Sequence, residues 1–140
     1  MIVLDTNVVS DSFSRRPSEI VLDWLNGQEL QRLFLSTVVL AELYFGAYLV
    51  QDGSRRQGLI QSIGGIRDEF AGRILGFGEA MAERYGQITA QRRLAGRPIE
   101  TKDAMIAAIC LVNDATLATR NVRDFDGLDL RLVNPFEAGK

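Results

Sequence analysis

A chain of 140 residues, 46% apolar and 24% charged with a net charge of −2, is sized for one domain around a single core. It contains no histidine and one cysteine, Cys110. These counts exclude Ser-His-Asp and Cys-His catalysis, an internal disulfide and a zinc site built on His or Cys, so an enzyme with this sequence must use carboxylates, a hydroxyl, a lysine or a hard cation such as Mg²⁺ or Mn²⁺ held by oxygen.

Ile2-Val3-Leu4 reads as a short buried strand. Met1 to Asp5 has neither the basic start nor the long apolar stretch of a signal peptide, and no run approaches the roughly 20 apolar residues of a membrane span. A cytoplasmic protein without membrane contact is expected. After Pro17 a helix carries Ile20, Val21, Trp24 and Leu25 on one face and stops at Gly27. Further strands are expected at Arg32 to Ser36, Arg73 to Phe77, Thr116 to Thr119 and Leu130 to Val133. The helices between them are expected over Thr37 to Leu49, Arg55 to Ile66, Glu79 to Ala95 before Gly96, and Lys102 to Val112. Gly64-Gly65 weakens the second of these four, and the last is apolar nearly all round and should be buried. The alternation predicts one α/β domain over 1–140 with a mainly parallel sheet of about five strands, whose site lies beyond the carboxyl ends of those strands.

Acidic residues occupy such places. Asp5 ends the first strand, where it can serve a site or simply cap a helix. Glu42 lies among Val38, Val39, Phe45 and Leu49 on its helix, inside an apolar stripe. A carboxylate there needs a cation, from a metal or an arginine, unless it reaches water at the stripe's edge. Asp103 falls in the first turn of the last helix, behind a possible Thr101 cap, where the helix dipole alone could explain it. Asn121 and Asp124 follow the fourth strand in a loop rich in turn formers, and either could complete an acidic cluster. Lysine occurs only at Lys102 and Lys140, and the other basic residues are arginines in pairs or near-pairs such as Arg15-Arg16, Arg55-Arg56 and Arg92-Arg93. These suit phosphate contact as well as they suit solvated surface.

Taken together, Leu4-Asp5-Thr6-Asn7, Leu35-Ser36-Thr37 through Leu40-Ala41-Glu42-Leu43 with Gly46, Asp103 to Ala108, and Leu117 to Asn121 with Asp124-Phe125 resemble the motifs of the PIN-domain family. The resemblance is closest to its VapC-type toxins, down to the closing Asn134-Pro135-Phe136. Val39 departs from the threonine, and Asn121 from the aspartate, that many relatives carry. The resemblance implies a three-layer α/β/α fold. It also implies one or two Mg²⁺ or Mn²⁺ ions held by Asp5, Asp103 and Glu42, directly or through water. Either Asn121 or Asp124 completes the site, Asp124 being expected to substitute in part for the missing acid, with Thr6, Asn7 and Thr119 in support. The implied activity is RNA cleavage by a homodimeric ribonuclease toxin, neutralised by a small DNA-binding antitoxin. Two other readings stay open: a PIN-type nuclease acting on DNA or in RNA processing without an antitoxin, and a catalytically silent dimeric co-repressor.

Overall fold

The computed structural model describes residues 1–137. Five short runs form the strands β1 (Ile2–Leu4), β2 (Leu33–Ser36), β3 (Ile74–Leu75), β4 (Thr116–Ala118) and β5 (Leu132–Val133). They pair in parallel throughout, in the order β3-β2-β1-β4-β5, with Ile2 opposite Leu33 on one side and Thr116 on the other. Successive side chains of a strand point to opposite faces, yet Ile2, Val3 and Leu4 are all buried. Both faces of the sheet are therefore covered, as an all-parallel sheet requires, giving three layers with helices outside. The expected α/β architecture is the one observed.

The helices are α1 (Thr6–Ser12), α2 (Glu19–Asn26), α3 (Thr37–Leu49), α4 (Gly53–Glu69), α5 (Glu79–Leu94) and α6 (Thr101–Val112). α6 is the buried one, with Ala104 and Ile106 to Cys110 inaccessible to solvent. Each fully buried Leu or Ile of this core, such as Leu35, Ile106 and Leu117, contributes about 1.5–3 kcal/mol by leaving water. Gly96, at φ +73°, lets the chain leave α5 in a left-handed conformation.

Several details differ from the sequence reading. α1 is a helix missing from the expected set, although the sequence leaves a helix-capping role open for Asp5. α4 runs unbroken through Gly64-Gly65, since each glycine costs such a helix only about 1 kcal/mol. The core-facing stripe of α3 is Val39, Leu40, Leu43 and Ala47, while Phe45 is 67% and Leu49 63% exposed, so Glu42 sits at the flank of the buried face. On α2, Val21 is buried but Ile20 turns outward. At α6 the capping position is Glu100, and Thr101 is already helical.

The chain lays down β2 and β3 on one side of β1, then crosses back to place β4 and β5 on the other. The crevice beyond the carboxyl ends of β1 and β4 is where the direction of winding reverses. Ligand sites of open parallel sheets form at that point because the loops there diverge.

Candidate active site

Asp5 follows β1 directly and is 5% exposed. Its N–H donates to the Ala118 carbonyl at 2.9 Å, continuing the β1–β4 ladder by one step. Its Oδ1 accepts the Thr6 N–H at 2.8 Å, capping α1. Its Oδ2 accepts the Thr119 hydroxyl at 2.7 Å. Capping and site placement are thus the same act. Thr119, fully buried at the end of β4, also accepts the Asn121 N–H at 3.1 Å and the Asn7 amide at 3.5 Å. The Asn7 side-chain oxygen accepts the Arg120 N–H at 3.2 Å. Asn7 and Thr119 therefore lash the start of α1 to the loop after β4 and fix the Asp5 carboxylate between them. The Thr6 hydroxyl is buried without a hydrogen-bond partner among the described residues.

The other acids reach the same place from different elements. Burial raises the Asp5 pKa above the usual carboxylate range. The Thr119 and Thr6 hydrogen bonds oppose that rise, and the charges of Glu42 and Asp124 add to it. Asp103, in the first turn of α6, is pushed up to about 6, first by partial burial and then by Asp5, Asp124, Glu100 and Glu42. All of these influences raise it, so this is a set of carboxylates in mutual repulsion. Asp124 is exposed on the single 3₁₀ turn Val122–Phe125, with its N–H donating to Asn121 at 3.1 Å. Asn121 is exposed beside it. Glu42 lies at the edge of the buried face and has a cation as well. The partner is Lys102 at 3.4 Å, where an arginine or a metal was expected.

Glu100 escaped the sequence reading. Its signal was an acid at the cap of α6, three residues before Asp103, where it shares a cavity of about 230 Å³ with Asp103, Asp124 and Arg92. Arg92 was read only as half of an Arg pair, but it is buried. It continues the apolar face of α5 formed by Met81, Tyr85 and Ile88, and the argument applied to Glu42 would have found it.

Among the described residues, no three Asp, Glu or Cys side chains close into a ready-made cation cage. The donor set still fits a hydrated divalent ion. Mg²⁺ keeps most of its waters and takes one or two carboxylates, and a pair of half-desolvated acids at the mouth of a parallel sheet offers that. The uncompensated charge around Asp103 gives such an ion a reason to bind.

A PIN-domain family model matches residues 2–129. The chain is 42% identical to the plasmid stability protein StbB of Pseudomonas syringae pv. tomato, covering 99% of this chain and 100% of that protein. It is 35% identical to the VapC ribonuclease Y4jK of Sinorhizobium fredii over 98% and 99% of the two chains. It is 36% identical to toxin FitB of Neisseria gonorrhoeae over 97% and 99%. The solved structure of FitAB bound to an IR36 DNA fragment superposes with a TM-score of 0.93 at 35% identity, covering 100% of this chain and 99% of that one. An all-parallel five-stranded sheet with acids gathered at the β1/β4 crevice, matched along nearly its whole length, defines the class: this chain belongs to the PIN-domain family.

Proposed function

We propose that this protein is a divalent-metal-dependent endoribonuclease that serves as the toxin of a toxin–antitoxin pair. The observation that carries the reading is Asp5, buried and oriented by Thr119, together with an Asp103 that forms no ion pair among the described residues and whose pKa burial and neighbouring acids raise. Relatives named as a ribonuclease and as a toxin match it over nearly the full chain.

In this reading Asp5 and Asp103 hold Mg²⁺ or Mn²⁺, Glu42 assists, and Asp124 contributes the charge that Asn121 lacks. Once bound, such an ion supplies Lewis acidity toward a phosphodiester oxygen and lowers the pKa of a coordinated water. The chain's own residues prepare the place. Thr119 and the Thr6 N–H fix both oxygens of Asp5, so a lone pair is aimed without reorganisation. Asn7 holds the Arg120 backbone and keeps the loop after β4 closed over that hydroxyl. Arg120 and Arg123, exposed around the loop after β4, can contact phosphate, and a single RNA strand suits such a site better than a stacked duplex.

An antitoxin partner fits the same site, because a cationic side chain entering the pocket would satisfy carboxylates that otherwise repel one another. A homodimer is part of the proposal. Its support is the exposed apolar side chains Phe45, Tyr48 and Leu49 on α3, and light scattering at tens of micromolar protein should give twice the chain mass. The deciding experiment is cleavage of single-stranded RNA with Mn²⁺, with EDTA, and with the product of the adjacent gene added. Metal-dependent cutting that the neighbouring protein abolishes is the expected result. Undiminished cutting in excess EDTA overturns the metal-dependent mechanism, and cutting of DNA alone overturns the ribonuclease reading.

A further inference from the structure

Arg92 lies near the end of α5 and is only 8% exposed. A buried guanidinium requires hydrogen-bond acceptors or a counter-charge to offset its lost hydration. All of its hydrogen bonds go to main-chain carbonyls. Nε donates to Arg97 at 2.7 Å, and Nη1 donates to Asp124 at 3.1 Å and Asp126 at 3.3 Å. Two of these bonds end in the segment that carries Asp124. The third ends in the loop after α5, which is also held by the Arg97 N–H donating to the Arg92 carbonyl at 2.9 Å. That loop runs on to Glu100 and the first turn of α6, where Asp103 stands. One side chain thus joins the backbone of one site acid to the segment that leads into another, at the wall of the cavity the two acids share. Phe125 and Leu128 anchor this segment in the core, while the other polar ties across to α5 and its loop, Gln91 to Gly127 at 3.5 Å and Arg97 to Asp126 at 3.7 Å, are long and exposed and hold little.

We infer that Arg92 is a positioning residue for the acidic site. By bridging the carbonyls of Arg97, Asp124 and Asp126 it clamps the Val122–Phe125 turn against the α5–α6 loop, and this keeps the Asp124 carboxylate at the Asp103 cavity. The clamp is a feature of the fold; its purpose rests on the nuclease reading above.

Arg92→Lys tests it, because lysine keeps the charge but loses the planar fork that serves three carbonyls at once. Amide hydrogen exchange of the metal-free protein reads the clamp without reference to activity. The Asp124 and Asp126 N–H groups, which donate to Asn121 and Arg123, should exchange about tenfold faster in the variant. Calorimetric Mn²⁺ affinity then reads the purpose. Arg92→Lys should weaken binding about tenfold in the native background and less than about twofold in an Asp124→Asn background, because both changes act on one contribution. Arg97→Ala, which removes only the exposed ion pair, should leave both readouts unchanged. If Arg92→Lys does not fold, Arg92→Gln enters the same cycle. Unchanged exchange overturns the clamp. Faster exchange with equal affinity losses in both backgrounds overturns the link to Asp124. A native protein that binds no Mn²⁺ overturns the metal-dependent reading and the positioning role with it, while faster exchange in the variant would still identify the clamp itself.

Discussion

The two halves of the acidic site handle negative charge in opposite ways. On the β1/β4 side, Asp5 is buried, both its oxygens are committed to hydrogen bonds from the chain, and it forms no ion pair among the described residues. On the α3/α6 side, Glu42 is half-buried and shares its charge with Lys102, whose own side chain is 58% exposed. The hydrogen bonds of the first half fix direction without removing charge, so the carboxylate stays oriented while its charge remains unneutralised. The ion pair of the second half removes charge without fixing direction, since an exposed lysine moves freely. A formal count of acids would treat these residues alike. Their surroundings make Asp5 the residue on which cation binding depends and Glu42 one whose help can be given or withheld.

That contrast can be broken most forcefully at Asp5. Asn caps a helix as well as Asp does, so Asp5→Asn should keep the fold and the Thr6 bond. Loss of several kcal/mol of charge stabilisation corresponds to about a thousandfold drop in RNA cleavage by kcat/KM. Activity within tenfold of native would mean that Asp5 is only a cap. Next in size comes Thr119→Val, which leaves the Asp5 oxygen without its donor and the Asn121 N–H without its acceptor. We expect a 10- to 100-fold loss of Mn²⁺ affinity and about 1–3 kcal/mol of stability, with Thr119→Ser restoring most of both. Native-like affinity in Thr119→Val, with the loss appearing only in Thr119→Ser, would show that the methyl group matters and the hydroxyl does not.

The third test uses pH. The Asp103 pKa is raised from 3.8 to about 6 in the fold, chiefly by burial and then by its acidic neighbours. In that window the folded state binds more proton than the unfolded one, so metal-free stability should be highest below about pH 4 and fall as pH rises to about 6. The half-buried group is screened by water, so the decline attributable to it should be on the order of 1 kcal/mol, a few degrees in Tm. Asp103→Asn should flatten the decline and raise the metal-free Tm at pH 7, and saturating Mn²⁺ should do the same to the native protein. A native stability that instead climbs between pH 4 and 6, with Asp103→Asn lowering it, would mean that a cation already compensates this carboxylate.

The smallest effect belongs to the other half. Lys102→Met removes an exposed ion pair and should change stability by no more than about 0.5 kcal/mol. It also frees Glu42, so Mn²⁺ should bind a few-fold more tightly. Weaker binding would mean that Lys102 orients Glu42 and does not compete for it.

Much of this architecture can be read from the sequence because its determinants are local. Apolar runs bounded by turn formers gave all five strands, and α6 is so uniformly apolar that burial was its only option. The Asp5, Glu42, Asp103 and Asp124 segments can be proposed as the site from their resemblance to family motifs. What escaped depends on tertiary placement. α1 is short and opens with Thr6-Asn7, residues that favour turns in isolation, and it is held by the Asp5 cap and by the buried Val8 and Val9. Phe45 and Leu49 lie at helical spacing from Glu42, but spacing does not say which neighbour will be present to cover them. The lysine beside Glu42 lies 60 residues away in sequence and comes near only when α6 packs against α3. Arg92 was hidden by its neighbour, since a pair of arginines reads as surface unless each is placed separately on the helix wheel.

The Thr119–Asp5 hydrogen bond spans 114 residues of sequence. β1 likewise finds one of its two neighbouring strands only when Thr116 to Ala118 emerge. During synthesis at about 5–20 residues per second, Asp5 waits without its orienting hydroxyl until Thr119, 114 residues later, has been made. Pairing over such a distance is also among the slowest events in folding, because the entropy of closing the loop is lost before any contact offsets it. A nascent or truncated chain thus carries Asp5 but no oriented site. For a proposed ribonuclease toxin, the acid is therefore oriented for catalysis only after Thr119 has been made, which gives an inhibitor time to arrive.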